Sequence, residues 1–419
     1  MSNPLDEIVR TQKLGEARGI ASICSAHSWV LKTALRGEAS ILVEATCNQV
    51  NQFGGYTGMT PMDFFRFVED IAAQNKFPKA KILLGGDHLG PSPWQQEPAI
   101  HAMAKAAEMV RGYVQAGFTK IHLDASMRLA DDPPGPLAPV TSALRTAELA
   151  RAAEESLPNP PSTLRYVVGT EVPRPGGARE HENGFRVTTA EDARCTLEIT
   201  QAAFAKAGLE SAWARVIAMV VQPGVEFGDD FVLDYNPKGG RDLARFSETT
   251  PFVFEAHSTD YQKRENLRSL VRDHFAILKV GPALTFAFRE ATFALAMMED
   301  ELIPAGQRSN LIEVLDELMI RQPQYWKEYY YGDENEKRLK RQFSQSDRIR
   351  YYWGFPQVQV AFDQLLINLE GKKLPPALVS RYAQEQWERI CGGEIANTPE
   401  AIILDKINSV LVDYTFACR

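Results

Sequence analysis

Short apolar runs rich in Val, Ile, Leu and Phe recur along the first two thirds of the chain, most of them preceded by a segment with helical spacing. Eight such runs stand out: 19–26 (GIASICSA), 41–47 (ILVEATC), 81–88 (KILLGGDH), 120–126 (KIHLDAS), 165–172 (RYVVGTEV), 215–222 (RVIAMVVQ), 252–258 (FVFEAHS) and 276–282 (AILKVGP). Strands that alternate with helices predict a parallel sheet. Eight units in about 280 residues is the count of a (β/α)8 barrel, a TIM barrel.

Two intervening segments carry clear helix punctuation. Residues 98–117 read as an Ala-rich amphipathic helix with Pro98 at its start and Gly117 as its stop. Residues 189–208 repeat the design, with Thr189 as N-cap and Gly208 closing it. A doubly wound open sheet is the competing α/β architecture, but no GxGxxG follows the first strand and no GxxxxGK[ST] occurs. Beyond residue 300 the strand-like runs stop and helical spacing rich in Tyr, Arg, Gln and Glu takes over. The chain therefore divides into a barrel over 1–300, with its site at the carboxyl ends of the strands, and a helical C-terminal extension over 301–419.

Composition narrows the partners. With 44% hydrophobic and 24% charged residues, 419 positions make an ordinary globular chain, and a net charge of -8 disfavours nucleic-acid and membrane surfaces. The aromatic and basic mix of 305–372 is interleaved with Asp and Glu, so it reads as a solvated or subunit-facing surface with room for a homo-oligomer. Five scattered cysteines contain no CxxC pair, which suits a reducing cytoplasm. Residues 1–19 lack the apolar core of a secretory signal, and the most apolar helical stretch, 285–298, is short and interrupted by Arg289 and Glu290.

In a barrel of this kind chemistry sits at the carboxyl ends of the strands. The residues there are Ser25, Glu44 with Thr46, Asp87 with His88, Asp124 with Ser126, Thr170 with Glu171, Gln222, His257 with Ser258 and Thr259, and Lys279 before Gly281. Two of the seven histidines, His88 and His257, close strands, and imidazole beside carboxylate is the usual shell of a divalent metal. His27 lies past its run and reads as a surface residue. His122, two residues before Asp124, points to the same side one layer deeper and reads as core. Lys279 is compatible with a Schiff-base lysine or with a positioning or phosphate-binding one. Residues 47–61, with Asn48 near their start, form either a loop for sugar hydroxyls or an ordinary surface loop. The Pro/Gly-braced stretch 169–184, with Arg174, Arg179 and His181, reads as a lid for anionic groups or as plain solvated charge.

The stretches EATCNQVNQFGGYTGMTPMDF, LLGGDHLGPSPW, HLDASM, GTEVPRPGG and EAHSTDYQ resemble the motifs of the family named for the non-catalytic subunit of tagatose-bisphosphate aldolase, also labelled tagatose-6-phosphate kinase. The resemblance runs the whole length and extends to class II, metal-dependent ketose-bisphosphate aldolases. It implies Asp87 as base and Asp124 and Glu171 as further catalytic carboxylates. It implies a divalent metal, with zinc expected, on His88, Glu171, Gln222 and His257. Gln222 stands where those aldolases carry a His. It implies a sugar-phosphate substrate on Glu44, Asn48, Ser258, Thr259, Asp260, Lys279 and Gly281, although HSTDY replaces the aldolases' Gly-Ser phosphate loop. Nothing cradles a triphosphate, so a kinase is not expected. The expectation is a ketose-phosphate 4-epimerase that interconverts tagatose 6-phosphate and fructose 6-phosphate by metal-assisted retro-aldol and aldol steps. The alternative is a subunit that stabilises a class II tagatose-1,6-bisphosphate aldolase and turns nothing over.

Overall fold

The computed structural model describes residues 3–37, 39–157, 163–169 and 187–419. All eight apolar runs contribute a strand: β1 (Ile20–Cys24), β2 (Ile41–Thr46), β3 (Ile82–Leu89), β4 (Lys120–Leu123), β5 (Arg165–Val168), β6 (Val216–Val220), β7 (Val253–Ala256) and β8 (Phe275–Val280). Each pairs in parallel with its predecessor, and β8 returns to β1, so the sheet closes into a (β/α)8 barrel.

The helices bear out the punctuation. The segment after β3 forms Ala99–Gln115, and Gly117 beyond it takes φ 94°, a left-handed stop that costs glycine nothing. The helix Ala190–Lys206 is capped by Thr189, whose side chain accepts the Asp192 N–H. A short hairpin, Glu226–Phe227 with Val232–Leu233, is inserted after β6.

Alternation along the strands sets the layers inside the barrel. At the bottom Ile20, Leu42, Val167, Ile217, Val253 and Ile277 form an apolar plug, closed from below by Leu5 and Ile8 of the helix Pro4–Lys13. Two residues further along β2, β7 and β8 the inward positions become Glu44, Glu255 and Lys279, joined by Lys120 of β4. The apolar floor thus gives way to a polar upper chamber within one layer.

After the long helix Pro282–Leu302 the chain runs through helices Leu311–Arg321, Glu334–Phe343, Pro356–Leu369, Pro376–Tyr382 and Gln384–Cys391, with short 3-10 turns between them. It ends in Pro399–Cys418, which comes back to the barrel. There the Gly19 N–H, just ahead of β1, donates to the Cys418 carbonyl at 3.0 Å, and the Tyr414 hydroxyl donates to the Thr259 carbonyl after β7 at 2.8 Å. No helix among the described residues is long and apolar enough to cross a membrane.

Candidate functional site

The lower half of the polar chamber is a buried ion network. Lys120 Nζ lies 2.5 Å from Glu44 Oε1 and 2.6 Å from Glu255 Oε2. Lys279 Nζ contacts Glu44, stands 2.8 Å from Asp87 Oδ1 and 3.6 Å from Glu255 Oε1. Gly85 faces Glu44 across β2 and β3, and a methyl group there would collide with the Glu44 carboxylate. Burial pulls Lys279 down to about 7. Burial works to raise Glu255, but Lys120 and His257 overcome it and hold the carboxyl at about 2.

Above the network, three imidazoles gather. The rings of His88, His122 and His257 stand 4.7 to 5.2 Å apart, centroid to centroid. Simple alternation would put Asp87 inside the barrel and His88 outside. His88 instead adopts φ 49°, and the register with β4 slips between Gly86 and Leu89, so that both residues of the pair turn inward. Its Nδ1 reaches Asp124 Oδ2 at 2.9 Å, and its Nε2 lies 3.7 Å from Asp87 Oδ2. Burial disfavours the His88 cation, yet Asp87 and Asp124 outweigh it and raise the ring above the ordinary imidazole value. Desolvation likewise opposes the Asp87 anion, and His88, His122 and His257 together hold the carboxyl well below its usual range. Asp124, bonded to His88 and to Ser126, is held at about 2 despite its burial.

Ligand atoms of Asp87, His122, Glu255 and His257 all lie within 4.8 Å of one another, and all four side chains are buried. His122 supplies the test of fit. Its Nδ1 lies 2.8 Å from Asp87 Oδ1 and 3.2 Å from the His88 backbone N–H; the shorter contact, to a carboxylate, assigns the proton to Nδ1, and Nε2, buried with no hydrogen-bond partner, then carries the lone pair. A carboxylate that fixes the far nitrogen is what orients a metal-binding histidine. Two imidazoles and two carboxylates are a donor set for zinc or a similar divalent ion. The residues fit a divalent cation.

Several expectations change. His122, read as core, stands in this group, and Glu255 and Lys120 join it; the same-side spacing of Glu255 with His257 was the available signal. Gln222 turns away, because its Oε1 accepts the Gly224 N–H at 2.8 Å and its own N–H donates to Thr188, which binds it into its turn. Glu171, Thr170, Arg174, Arg179 and His181 lie outside the described residues. Glu44 and Lys279, expected to hold substrate, are locked in the ion network. Asn48 sits half-buried at the start of its loop, its carbonyl accepting the Tyr56 N–H. Thr259 is consumed by Lys279 O and Tyr414, Ser258 takes φ 54°, and the Gly281 N–H is given to Asp260. His27 is no surface residue: its ring packs on Phe288 and Trp353, and burial pushes it down to about 4.

Residues 5–419 match the family described as D-tagatose-1,6-bisphosphate aldolase subunit GatZ/KbaZ-like. The chain belongs to the GatZ/KbaZ-like family. It is 52% identical over 419 residues, 99% of each chain, to the D-tagatose-1,6-bisphosphate aldolase subunit GatZ of Klebsiella pneumoniae, and 51% identical with the same coverage to that of Salmonella heidelberg. Among solved structures it is similar to a probable tagatose 6 phosphate kinase from Sinorhizobium meliloti, with TM-score 0.89, 47% identity, and 96% of this chain and 100% of that one covered. The GatZ relatives overturn the expected epimerase. Chains half identical over their whole length are named as an aldolase subunit, which favours the subunit alternative.

Proposed function

We propose that this chain is a GatZ-type subunit of a D-tagatose-1,6-bisphosphate aldolase and that it stabilises a class II catalytic partner rather than turning substrate over alone. The observation that carries this reading is the 52% identity, end to end, to a chain of that name. The geometry is consistent with it: Asp87, the carboxylate best placed to serve as a base, already faces Lys279, His122 and His88.

Within this reading Asp87, His122, Glu255 and His257 hold a divalent cation, with zinc the metal the donor set suits. When bound, such an ion supplies Lewis-acid polarisation. Asp124 and His88 then fix the rim of the site through their 2.9 Å contact. Lys120 and Lys279 keep the carboxylates below it paired.

The test uses three samples: the isolated chain loaded with zinc, a class II tagatose-bisphosphate aldolase chain, and the two mixed. Cleavage of D-tagatose 1,6-bisphosphate is followed after incubation at rising temperature. The isolated chain is expected to be silent and the mixture to hold activity longer than the partner alone. Cleavage by the isolated chain, or a partner whose half-life ignores it, would overturn the proposal.

A further inference from the structure

Buried Lys279 reaches into the group of residues that fits a divalent cation. Its Nζ lies 2.8 Å from Asp87 Oδ1 and 3.6 Å from Glu255 Oε1. His257 Nε2 faces the same two atoms, at 3.8 Å and 3.0 Å. Ligand atoms about 2 Å from a tetrahedral ion stand about 3.3 Å from one another, so both oxygens are at ligand spacing from His257. The ammonium therefore rests on two oxygens that a metal needs.

Strand register brings the two charges together. β8 pairs Leu278 with Ala256 of β7, so that Lys279 and His257 follow side by side, one residue on. An ammonium and a divalent ion on shared oxygens repel, and in a buried chamber little screens them from each other. One of them must give way.

The chamber holds a second place for the ammonium. Nζ also contacts Glu44 Oε2, and Glu44 is not one of the four ligands. On the other flank of β8, β1 pairs Ser22 with Lys279. Ile20 belongs to the apolar plug, so Ser22, two residues on, faces the interior as well. Its hydroxyl is buried with no hydrogen-bond partner among the described residues, an idle acceptor beside the lysine. The flexible stem and rotatable donors of a lysine suit a move between the two positions.

We propose that Lys279 is a displaceable counter-cation of the metal site: its ammonium holds Asp87 Oδ1 and Glu255 Oε1 until a divalent cation takes them, and then withdraws to Glu44 and Ser22. The lysine thereby sets the affinity of the site and keeps its carboxylates neutralised while metal exchanges. The inference rests on the four-residue cation site and is independent of the subunit role. A lysine with a purely structural part acts in the opposite direction, because its loss loosens the ligands and weakens the metal.

Zinc affinity of the full-length wild type, Lys279→Met and Ser22→Ala, read by chelator competition in one buffer, tests this. Lys279→Met is expected to bind zinc at least about tenfold more tightly than the wild type, and its melting temperature to rise further on zinc addition. Equal or weaker binding by the folded variant, with the wild type still binding, overturns the proposal and leaves the cation site standing. Should Lys279→Met fail to fold, Ser22→Ala decides: zinc weakened at least about threefold supports the withdrawal, and unchanged affinity overturns it. Zinc bound by neither the wild type nor any variant removes the cation site itself, and the proposal with it.

Discussion

His122 Nδ1 stands 2.8 Å from Asp87 Oδ1, and Nε2 of the same ring is buried with nothing to bind. A ring held at one nitrogen and idle at the other is prepared for a cation. Metal content after zinc loading and gel filtration is expected to be one per chain in the wild type. His122→Ala and Glu255→Gln are expected to weaken zinc, read by chelator competition, by at least about 100-fold. Equal retention by both variants would exclude the four-residue site.

The ion network beneath it predicts a different kind of loss. Lys120→Met leaves the Glu255 and Glu44 carboxylates buried with one cation between them. Breaking a buried pair from one side costs about 3 to 5 kcal/mol. Urea unfolding should show a free energy of unfolding lowered by that amount and a correspondingly lower midpoint, and an unchanged midpoint would mean that water or rearrangement replaces the lysine.

His27 sets part of the acid limb of stability. Burial between Phe288 and Trp353 lowers it from 6.5 to about 4, so the unfolded chain binds its proton first as pH falls. Its contribution is complete above pH 6.5 and is lost as pH falls toward 4, a change on the order of 3 kcal/mol. His27→Phe should therefore flatten the fall in melting temperature between pH 6.5 and 4. A parallel fall in both proteins would refute the assignment.

Tyr414 joins the last helix to the loop after β7 through a single hydroxyl. Tyr414→Phe leaves the buried Thr259 carbonyl without that donor, at a cost of about 1 to 3 kcal/mol. Zinc stoichiometry should be unchanged, since the ring stays in place. Calorimetric melting and metal analysis on the same sample separate the two effects.

The barrel was legible because each strand is a contiguous run whose pattern is local; Ile41–Thr46 and Phe275–Val280 need no distant information to be recognised. Asp87, His88, Asp124 and His257 were legible as strand ends for the same reason. The donor set was not, because it depends on depth. His122 lies one layer below Asp124, and that single layer moves it from the mouth into the chamber where Asp87 and Glu255 meet it. The left-handed turn at His88 leaves no trace in composition, so the inward pointing of two consecutive residues could not be read from alternation. The resemblance implies Asp260 as a substrate contact, and only the fold shows its carboxylate already engaged by the Gly281 and Ala283 N–H groups.

The contacts of Gly19 with Cys418 and of Thr259 with Tyr414 join residues from nearly opposite ends of the chain and from its middle. During synthesis β1 leaves the ribosome long before the helix Pro399–Cys418, so the flank of the barrel waits for its partner until that helix has been made. Such long sequence separations slow folding. They also make a premature stop anywhere in the last helix a defect of the whole chamber, felt at the loop that carries His257 as much as at the C-terminus itself.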